Sequence, residues 1–372
     1  MSTDYQICRN CVMDNSDPDI VFNSEGVCNH CTSFKEKFKN IPINGENPEV
    51  SFNKLIDTIK NSGKGNEYDC IIGLSGGVDS SYVAYLVKQA GLRPIAVHLD
   101  NAWDSELAVK NIENIVKILD IDLYTHVINW EEFKDLQLSF LKASVIDIEI
   151  LTDHAIGAIL YKVARDHNIK YIIGGGNVAS EGIMPRAWNF SKVDSWNIKG
   201  IHKIYGKVKM ETFPMFSLRQ LFMNKYYYKI KSAKILNYID YNLDDAKQVL
   251  MDELNWKYYG GKHYESIFTK FYQAYILPKK FGVDKRRAHI SSLICSGQMS
   301  RDDGLKILEN ELYPDNELLE DKEYFLKKFG LSEMEFDGIM NQPVKQHTDY
   351  PSIRNVTRKL GPFRDFAVKL LS

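Results

Sequence analysis

The stretch CIIGLSGGVDSSYVAYLVKQAG, residues 70–91, joins an apolar strand, a glycine-containing turn and a helix without any intervening residues. Backbone N–H groups point outward at the start of a helix, and the helix dipole favours negative charge there. Gly76 and Gly77 permit a phosphate to approach the backbone closely, and Ser75 and Ser80 can donate hydroxyl hydrogen bonds. The stretch therefore predicts a phosphate-binding turn, with an ordinary tight strand–helix turn as the alternative.

Asp79 distinguishes this turn from the common phosphate loop. The pattern G-x-x-x-x-G-K-[ST] is absent after the strand, and the Gly63-Lys64-Gly65 triplet comes before the strand instead. A carboxylate beside phosphates repels them unless a divalent cation lies between the two. Asp79 is therefore predicted to be a ligand of Mg²⁺.

The segments around the turn alternate between apolar strands and helices. The strands lack polar alternation, which is typical of a parallel sheet covered by helices on both faces. We therefore expect an α/β fold with a doubly wound parallel sheet. The strands are predicted at residues 68–74, 94–100, 123–128 and 170–174, and the helices between them at 79–90, 105–119, 131–143 and 153–167.

Four of the six cysteines lie in the first 31 residues, at Cys8, Cys11, Cys28 and Cys31. Two C-x-x-C pairs at this separation have the spacing of a tetrahedral zinc site with thiolate ligands. A site closed by four cysteines has no open position for a substrate, so we predict a structural zinc ion. An iron–sulfur centre is the alternative.

Composition and charge place the chain among ordinary globular proteins. It has 372 residues, a formal net charge of −2 and 26% charged residues. No apolar run is long enough to span a bilayer, and the N-terminus lacks the apolar core of a signal peptide, so we expect a cytoplasmic protein without membrane insertion. The predicted domains are a zinc ribbon at 1–45, the sheet domain at 46–200 and a mostly helical substrate or partner region at 201–372.

The sequence SGGVDS at residues 75–80 resembles the PP-loop signature of the ATP pyrophosphatases, which include asparagine, GMP and NAD synthetases and tRNA thiolation enzymes. The resemblance implies an adenine nucleotide alpha-hydrolase-like fold. It also implies that the turn holds the pyrophosphate of ATP while a substrate attacks the α-phosphorus. The nucleotide is then expected near His98, Leu99 and Asp100, at the end of the second strand, and near Gly174.

Three further stretches narrow the resemblance: CRNCVMDNSDP (8–18), YIIGGGNVASEGIMPRAW (171–188) and DKRRAHISSLICSGQMSRDDGLKIL (284–308). Together with the PP-loop they resemble the bacterial N-acetyl sugar amidotransferases of lipopolysaccharide and nonulosonic-acid biosynthesis, from the first cysteine pair to about residue 312. The resemblance implies adenylation of an acetamido oxygen and its replacement by ammonia. The chain has no recognisable glutaminase, and the resemblance implies a separate glutaminase subunit that delivers ammonia, with a cyclase-like companion as a further partner.

Several polar residues are candidates for this chemistry. Asn177 and Glu181 follow the fourth strand, where open α/β sheets bind ligands, although a plain surface loop is the alternative. Asn177 would bind substrate hydroxyls or phosphate, and Glu181 would contact metal or accept a proton from ammonia. Asp153 and His154 open a helix, where they could contact the substrate or merely cap the helix.

The basic sequence DKRRAH supplies the remaining candidates. Lys285, Arg286, Arg287 and His289 could donate to the α-phosphate or to an acidic sugar nucleotide. Arg286 and Arg287 are favoured for phosphate, because the planar guanidinium suits its recognition, and His289 is predicted to contact the substrate. An ordinary surface cluster is the alternative.

Two other interpretations stay open at the sequence level. A tRNA thiolation enzyme would need a reactive cysteine couple, for which Cys70 and Cys295 are the remaining candidates. The segment 199–234 contains nine Lys or Arg residues against one acid, with interleaved aromatics. It could bind nucleic acid, which we consider less favoured, or dock the glutaminase. A non-enzymatic zinc-ribbon adaptor that binds nucleotide is the third interpretation.

Overall fold

The computed structural model describes residues 5–261 and 264–357. Its centre is a five-stranded, entirely parallel sheet with the strand order β3-β2-β1-β4-β5. The strands are β1 (Cys70–Gly73), β2 (Pro94–Asp100), β3 (Asp122–Val127), β4 (Tyr171–Ile173) and β5 (Lys231–Ala233). Because β1 lies between β2 and β4, the order reverses at β1, and ligands bind at such a point beyond the carboxyl ends of the strands.

Helices cover both faces of this sheet, as the sequence predicts. One apolar core contains Ile71 and Ile95 with two helices, α5 (Trp130–Ala143) and α6 (Ile150–Asp166). The other contains Ile72 and Ala96 with the helices α3 (Val78–Gln89) and α4 (Glu106–Leu119). Successive side chains of a strand point to opposite faces, which explains the division. The helices up to this point are α1 (Asn29–Lys39), α2 (Pro48–Ser62), α3 (Val78–Gln89), α4 (Glu106–Leu119), α5 (Trp130–Ala143) and α6 (Ile150–Asp166).

The fifth strand is not predicted from the sequence. β5 has the sequence KSA, and its Lys231 and Ser232 are exposed at the edge of the sheet while only Ala233 is buried. A short polar edge strand has no run of apolar residues to reveal it. β5 pairs with β4, so the sheet extends past the predicted domain boundary at residue 200 and into the basic segment.

The part of the chain after β4 is mostly helical. Aromatic side chains dominate its packing, with Phe268, Phe271, Phe325 and Phe329 around the buried Trp103. The helices are α7 (Val178–Glu181), α8 (Ser195–Tyr205), α9 (Leu218–Phe222), α10 (Leu243–Leu254), α11 (Ile267–Phe271), α12 (Arg286–Cys295), α13 (Arg301–Glu309), α14 (Asp315–Phe329), α15 (Glu333–Met340) and α16 (Ile353–Thr357). Turns of π-helix occupy Met223–Tyr227 and Tyr272–Phe281, and 3-10 turns occupy Pro42–Asn44, Arg186–Trp188, Ile235–Tyr238 and His347–Asp349.

The N-terminal segment forms a small unit of its own. Isolated bridges join Ile7 to Asp14 and Phe22 to Cys28, and α1 begins directly after Cys28. Its apolar residues pack with Trp188 and with Ala288 of α12. Residues 358–372 of the predicted C-terminal region lie outside the described residues. None of the helices within the described ranges has the length and apolar character that a bilayer crossing requires.

Candidate nucleotide-binding and active site

The turn after β1 has the backbone conformation that its glycines predict. Gly76 adopts φ +78°, and a Cβ atom there would lie 2.6 Å from the carbonyl oxygen of Ala108. The Ser75 hydroxyl accepts the Gly77 N–H at 3.3 Å and lies 3.1 Å from the Ser80 hydroxyl. These contacts fix the conformation of the turn at the start of α3, and the N-terminus of a helix favours an anion.

Asp79 lies in the first turn of α3, and two side chains hold its carboxylate. The buried Tyr241 donates its phenolic O–H to Oδ1, and Asn177 donates from Nδ2 to the same oxygen at 3.4 Å. Burial and the Asp79 charge raise the pKa of Tyr241 well above its usual range, so the phenol keeps its proton. Asp79 is therefore a fixed, hydrogen-bonded carboxylate beside the anion-binding turn.

The loop after β4 packs against the same helix start. A Cβ atom on Gly175 would lie 3.0 Å from the Asp79 backbone, so this glycine permits the close approach. Asn177 caps α7 by accepting the Ser180 N–H at 2.7 Å, which leaves its amide nitrogen for Asp79. Glu181 is the last residue of α7 and lines the same cavity as Asp79.

A single cavity of about 680 Å³ begins at this turn. We call its first end the phosphate end, formed by residues 75–80 and 174–176. His98 and Leu99 line it as well, and His98 Nδ1 lies 3.0 Å from the Leu74 carbonyl oxygen. Burial alone would lower the pKa of His98, but Asp104 at 3.3 Å outweighs burial, and the pKa is raised.

Another part of the cavity lining is polar and charged. We call it the charged wall, formed by Glu149, Asp153, Lys192 and Lys285. Lys192 contacts Asp153 at 3.1 Å, and Lys285 pairs with Glu149. Asp153 and Lys285 belong to stretches that the sequence analysis singles out, although the two arginines after Lys285 are favoured over it. Glu149 and Lys192 belong to no motif, so the sequence does not predict them.

The structure separates the predicted residues into those that reach the cavity and those that do not. Ser75, Gly77, Asp79, Ser80, His98, Leu99, Asp153, Gly174, Glu181 and His289 line it. Asn177 and Gly76 lie directly behind the lining and shape it through Asp79 and through the turn. Asp100 is not in the lining: its carboxylate accepts the Ala102 N–H at 2.9 Å and stabilises the turn after β2.

Arg286 and Arg287 also lie away from the cavity, contrary to the prediction. Arg286 forms an ion pair with Asp284 at 2.9 Å and donates to backbone carbonyls at the end of α13. Arg287 pairs with Asp14 at 3.0 Å and joins α12 to the N-terminal unit. The neighbouring Lys285 lines the cavity instead, because the first turn of α12 directs consecutive side chains in different directions.

His154 is a packing residue, not a substrate contact. It is fully buried, donates from Nδ1 to the Lys192 carbonyl oxygen at 2.8 Å and accepts the Phe216 N–H at Nε2. Its ring stacks on Phe216 with centroids 4.2 Å apart. Burial lowers its pKa to about 4, so the imidazole is neutral near pH 7.

The four N-terminal cysteines form a compact buried cluster. Their sulfurs lie within 4.8 Å of one another, with separations of 3.7 Å for Cys11–Cys28 and for Cys28–Cys31 and 3.8 Å for Cys8–Cys31. A tetrahedral ion with Zn–S bonds of about 2.3 Å requires sulfurs roughly 3.8 Å apart. The geometry therefore fits a zinc ion, and no other group of metal-ligating residues of this kind occurs in the described ranges.

The two remaining cysteines lie in different places. Cys70 is fully buried within β1, and burial raises its pKa well above its usual range. Cys295 ends α12, and its sulfur lies 3.7 Å from that of Cys31, beside the cysteine cluster. Neither residue lines the cavity, so they do not form a couple at the phosphate end.

Two family models match separate parts of this chain. Residues 51–183 match the family described as NAD synthase, and residues 265–361 match "LPS biosynthesis protein WbpG-like, C-terminal domain". The first range contains the PP-loop turn, Asp79 and the loop after β4. The chain thus contains a part similar to a PP-loop domain of the ATP pyrophosphatase type and a part similar to the C-terminal domain of a lipopolysaccharide-biosynthesis family. These matches support an ATP-dependent enzyme.

Individual proteins are similar to this chain at 27% sequence identity or less. The curated tRNA-specific 2-thiouridylase MnmA 2 of Fusobacterium nucleatum is 27% identical over 192 residues, 48% of this chain and 52% of that protein. The chain thus spans about half the length of this relative. Among solved structures, NMN synthetase from Francisella tularensis and NH3-dependent NAD synthetase from Campylobacter jejuni are each 19% identical, with TM-scores of 0.30. They cover 60% and 55% of this chain, and 92% and 84% of their own.

Proposed function

We propose that this protein is an ATP-dependent, AMP-forming amidotransferase that acts on an N-acetylated sugar. It would replace the acetamido oxygen with ammonia and give an acetamidino group, in surface-polysaccharide or nonulosonic-acid biosynthesis. The observation that carries the proposal is the fixed Asp79 carboxylate at a PP-loop turn, facing a cavity that the lipopolysaccharide-type C-terminal domain also lines. Lys285 and His289 of that domain line the cavity.

The chemistry follows from the weakness of an amide as an electrophile. Attack of the acetamido oxygen on the α-phosphorus of ATP would form a P–O bond and release pyrophosphate. The resulting imidate is activated, because AMP is a far better leaving group than oxide. Ammonia would then add to the imidate carbon and lose a proton, and the C–O bond would break to release AMP.

The phosphate end contains groups that can bind the pyrophosphate and the magnesium ion of the proposed reaction. Ser75, Ser80 and the backbone N–H groups of the turn can bind the pyrophosphate, whose negative charge the helix dipole favours. Asp79 and Glu181 are hard oxygen donors on the same cavity, and they fit Mg²⁺. When bound, Mg²⁺ would neutralise phosphate charge during cleavage. Tyr241 and Asn177 hold Asp79 in position.

The remaining groups of the cavity have supporting roles in the proposal. As the alternative to contacting Mg²⁺, Glu181 at the end of α7 can accept the proton from attacking ammonia. His98 and Leu99, at the end of β2, would contact the adenine. The cysteine cluster would hold a structural zinc ion that stabilises the N-terminal unit, and metal analysis of purified protein should find one zinc and no iron.

The ammonia is proposed to come from a separate glutaminase subunit. Basic residues 199–234 are our candidate for its docking surface, with Phe222, Tyr226 and Tyr227 exposed among the lysines. Neutralising the lysines should then reduce glutamine-dependent turnover while ammonium-dependent turnover stays unchanged. Equal effects on both would contradict this assignment.

The experiment for the main proposal uses ATP, Mg²⁺, an ammonium salt and a panel of N-acetyl sugars. Mass spectrometry should find one sugar in which NH replaces O, which lowers its mass by about one unit, together with AMP and pyrophosphate. Formation of ADP, or nucleotide cleavage without any modified sugar across the panel, would contradict the proposal.

A tRNA thiolation enzyme is the second candidate, because the chain is 27% identical to a tRNA-specific 2-thiouridylase over 192 residues. That chemistry would need a reactive thiol at the nucleotide. Cys70 is enclosed in β1, and Cys295 lies beside the cysteine cluster, so neither is positioned for this role. Thiol labelling and tRNA binding assays would distinguish the two functions.

A further inference from the structure

The phosphate-binding turn contacts a segment that lies far along the chain from it. We call residues 256–261, with the sequence WKYYGG, the covering segment. The hydroxyl of its Tyr259 accepts the N–H of Val78 at 3.3 Å. Val78 is the first residue of α3, and the first N–H groups of a helix have no partner within the helix and can bind an anion. Tyr259 therefore makes one of the hydrogen bonds that a phosphate oxygen would make at this turn.

The space beside Gly77 contains the same hydroxyl and a carboxylate. A Cβ atom on Gly77 would lie 3.2 Å from the Tyr259 hydroxyl oxygen and 3.1 Å from Oε1 of Glu265. Both side chains line the cavity. Burial and the charge of Glu265 raise the pKa of Tyr259 well above its usual range, so the phenol is neutral. A phosphate that approaches the backbone at Gly77 would therefore meet a neutral hydroxyl and a carboxylate.

The covering segment is anchored at its start and open at its end. The buried Trp256 donates its indole N–H to the Gly76 carbonyl oxygen at 2.9 Å. The Asn111 side chain accepts the Lys257 N–H at 2.9 Å and donates to the Lys257 carbonyl oxygen at 2.8 Å. Gly260 is exposed and adopts φ +89°, and a Cβ atom there would meet no other described residue within 4 Å. The part of the segment after Lys257 therefore has room to move while its two anchors stay in place.

A phosphate oxygen is a stronger partner for Val78 than the tyrosine hydroxyl is. A hydrogen bond to a charged oxygen is roughly twice as strong as one between neutral groups, and the dipole of α3 adds to the preference for an anion. The carboxylates of Asp79 and Glu265 oppose a bare phosphate, however, so the exchange requires a divalent cation with the phosphate. Magnesium pyrophosphate is therefore the species that can replace Tyr259.

From these contacts we propose that the covering segment is a gate at the phosphate end. Tyr259 occupies the Val78 N–H when no nucleotide is bound, and the pyrophosphate part of ATP displaces it. The proposal rests on the proposed function, because the displaced contact lies at the turn that would bind ATP, and it adds a conformational step before the reaction. The alternative is a fixed brace, in which Tyr259 stays on Val78 and supports the turn while the nucleotide binds.

Calorimetry of the full-length protein with magnesium pyrophosphate separates a gate from a brace. Tyr259→Phe keeps the ring and removes only the hydroxyl. If the segment is a gate, this variant should bind magnesium pyrophosphate about threefold to tenfold more tightly than the wild type, because binding no longer breaks the hydrogen bond between Tyr259 and Val78. A brace would give equal or weaker binding, because the turn loses a support. Either of these two results would overturn the proposal.

Tyr68→Phe is the matched control. It also removes a tyrosine hydroxyl, which donates to Asp122 at 2.9 Å at the far edge of the sheet. This variant should bind magnesium pyrophosphate with the wild-type affinity. A similar gain in both variants would mean that the effect does not come from the contact with Val78, and the proposal would be wrong.

A second measurement follows the movement of Tyr259 itself. In ¹⁹F NMR of protein labelled with 3-fluorotyrosine, the resonance that is missing from Tyr259→Phe belongs to Tyr259. Its shift between H₂O and D₂O reports the exposure of the ring to solvent. Saturating magnesium pyrophosphate should increase this shift for Tyr259 and leave that of Tyr68 unchanged. A Tyr259 ring that becomes no more exposed would contradict a gate.

These measurements distinguish failure of the gate from failure of the proposed function. Formation of amidine and AMP, together with an unchanged affinity of Tyr259→Phe, would reject the gate and leave the proposed function intact. Tighter binding of magnesium pyrophosphate by the variant, without any amidine product, would do the reverse. If neither protein bound magnesium pyrophosphate, the gate would be wrong, because the turn would bind no such anion.

Discussion

The phosphate end and the charged wall of the cavity are built in different ways. The phosphate end consists of short side chains and backbone groups from residues 75–80 and 174–176, with the fixed Asp79 carboxylate among them. The charged wall consists of long side chains that α6, α12 and the loop before α8 bring together as ion pairs. The difference shows that backbone geometry shapes the phosphate end, whereas side-chain charge shapes the charged wall.

The sharpest test of the phosphate end is Asp79→Asn. We expect AMP formation to fall about 10³-fold, because the amide lacks the charge that would bind Mg²⁺ beside the pyrophosphate. The measurement is the steady-state rate of pyrophosphate release. Asp122→Asn is the control, because Asp122 accepts a hydrogen bond from Tyr68 at the far edge of the sheet and should keep the wild-type rate. If the Asp79 variant keeps more than a tenth of the rate, the phosphate end does not work through this carboxylate.

The charged wall should show its largest effect in stability. Lys192→Met leaves the buried Asp147 carboxylate without its cation, so we expect the free energy of unfolding to fall by about 3 kcal/mol. Urea denaturation measures the loss. Lys162→Met removes a lysine from an exposed ion pair with Asp166. This variant should lower the free energy of unfolding by less than about 1 kcal/mol. Similar losses in the two variants would mean that the wall is no more than a surface ion-pair cluster.

Two glycine substitutions test whether backbone geometry defines the phosphate end. Gly76→Ala places a Cβ atom 2.6 Å from the Ala108 carbonyl oxygen at φ +78°, so we expect a loss of about 2 kcal/mol in unfolding free energy. Gly174→Ala meets no atom within 4 Å, and its φ is not positive, so its unfolding free energy should change by less than about 0.5 kcal/mol. Thermal denaturation of both variants measures these changes. An unchanged melting temperature for Gly76→Ala would contradict the close approach of residue 76 to the Ala108 carbonyl oxygen.

Per pH unit, the smallest expected effect is a pH dependence of stability at His154, behind the charged wall. The pKa of His154 is lowered to about 4 in the folded protein, below the value of about 6.5 in an unfolded chain. The unfolded state therefore binds a proton first, and stability should fall as pH decreases from 6.5 to 4, by at most about 1.4 kcal/mol per pH unit from this residue. His154→Gln should flatten the curve over this range, with His347, whose pKa is also lowered to about 4, supplying the remaining slope. An unchanged slope in the variant would contradict the role of His154.

The comparison also explains how much could be predicted from the sequence. The turn at Ser75–Ser80, the cysteine cluster and four of the five strands depend on residues that are close together in the chain, and the sequence predicts each of them. The charged wall forms only because three separate elements pack together and bring Glu149, Lys192 and Lys285 into one place. No local sequence pattern predicts such a contact. Tyr241, which holds Asp79, is missed for the same reason.

The predictions for Arg286 and Arg287 differ from the structure for a local reason. The sequence DKRRAH indicates a cationic surface but does not say which of its side chains faces the cavity. Helix geometry directs Lys285 and His289 inward, while Arg286 and Arg287 form ion pairs with Asp284 and Asp14. Guanidinium chemistry suits phosphate, but position on the helix decides the contact.

The most direct test of the account follows one oxygen atom. A substrate sugar labelled with ¹⁸O in its acetamido carbonyl is incubated with ATP, Mg²⁺ and ammonium, and the nucleotide product is analysed by mass spectrometry and ³¹P NMR. We predict that the label appears in the phosphate of AMP, because the acetamido oxygen attacks the α-phosphorus at the turn that contains Asp79. Unlabelled AMP, or label in inorganic phosphate with ADP as the other product, would contradict it.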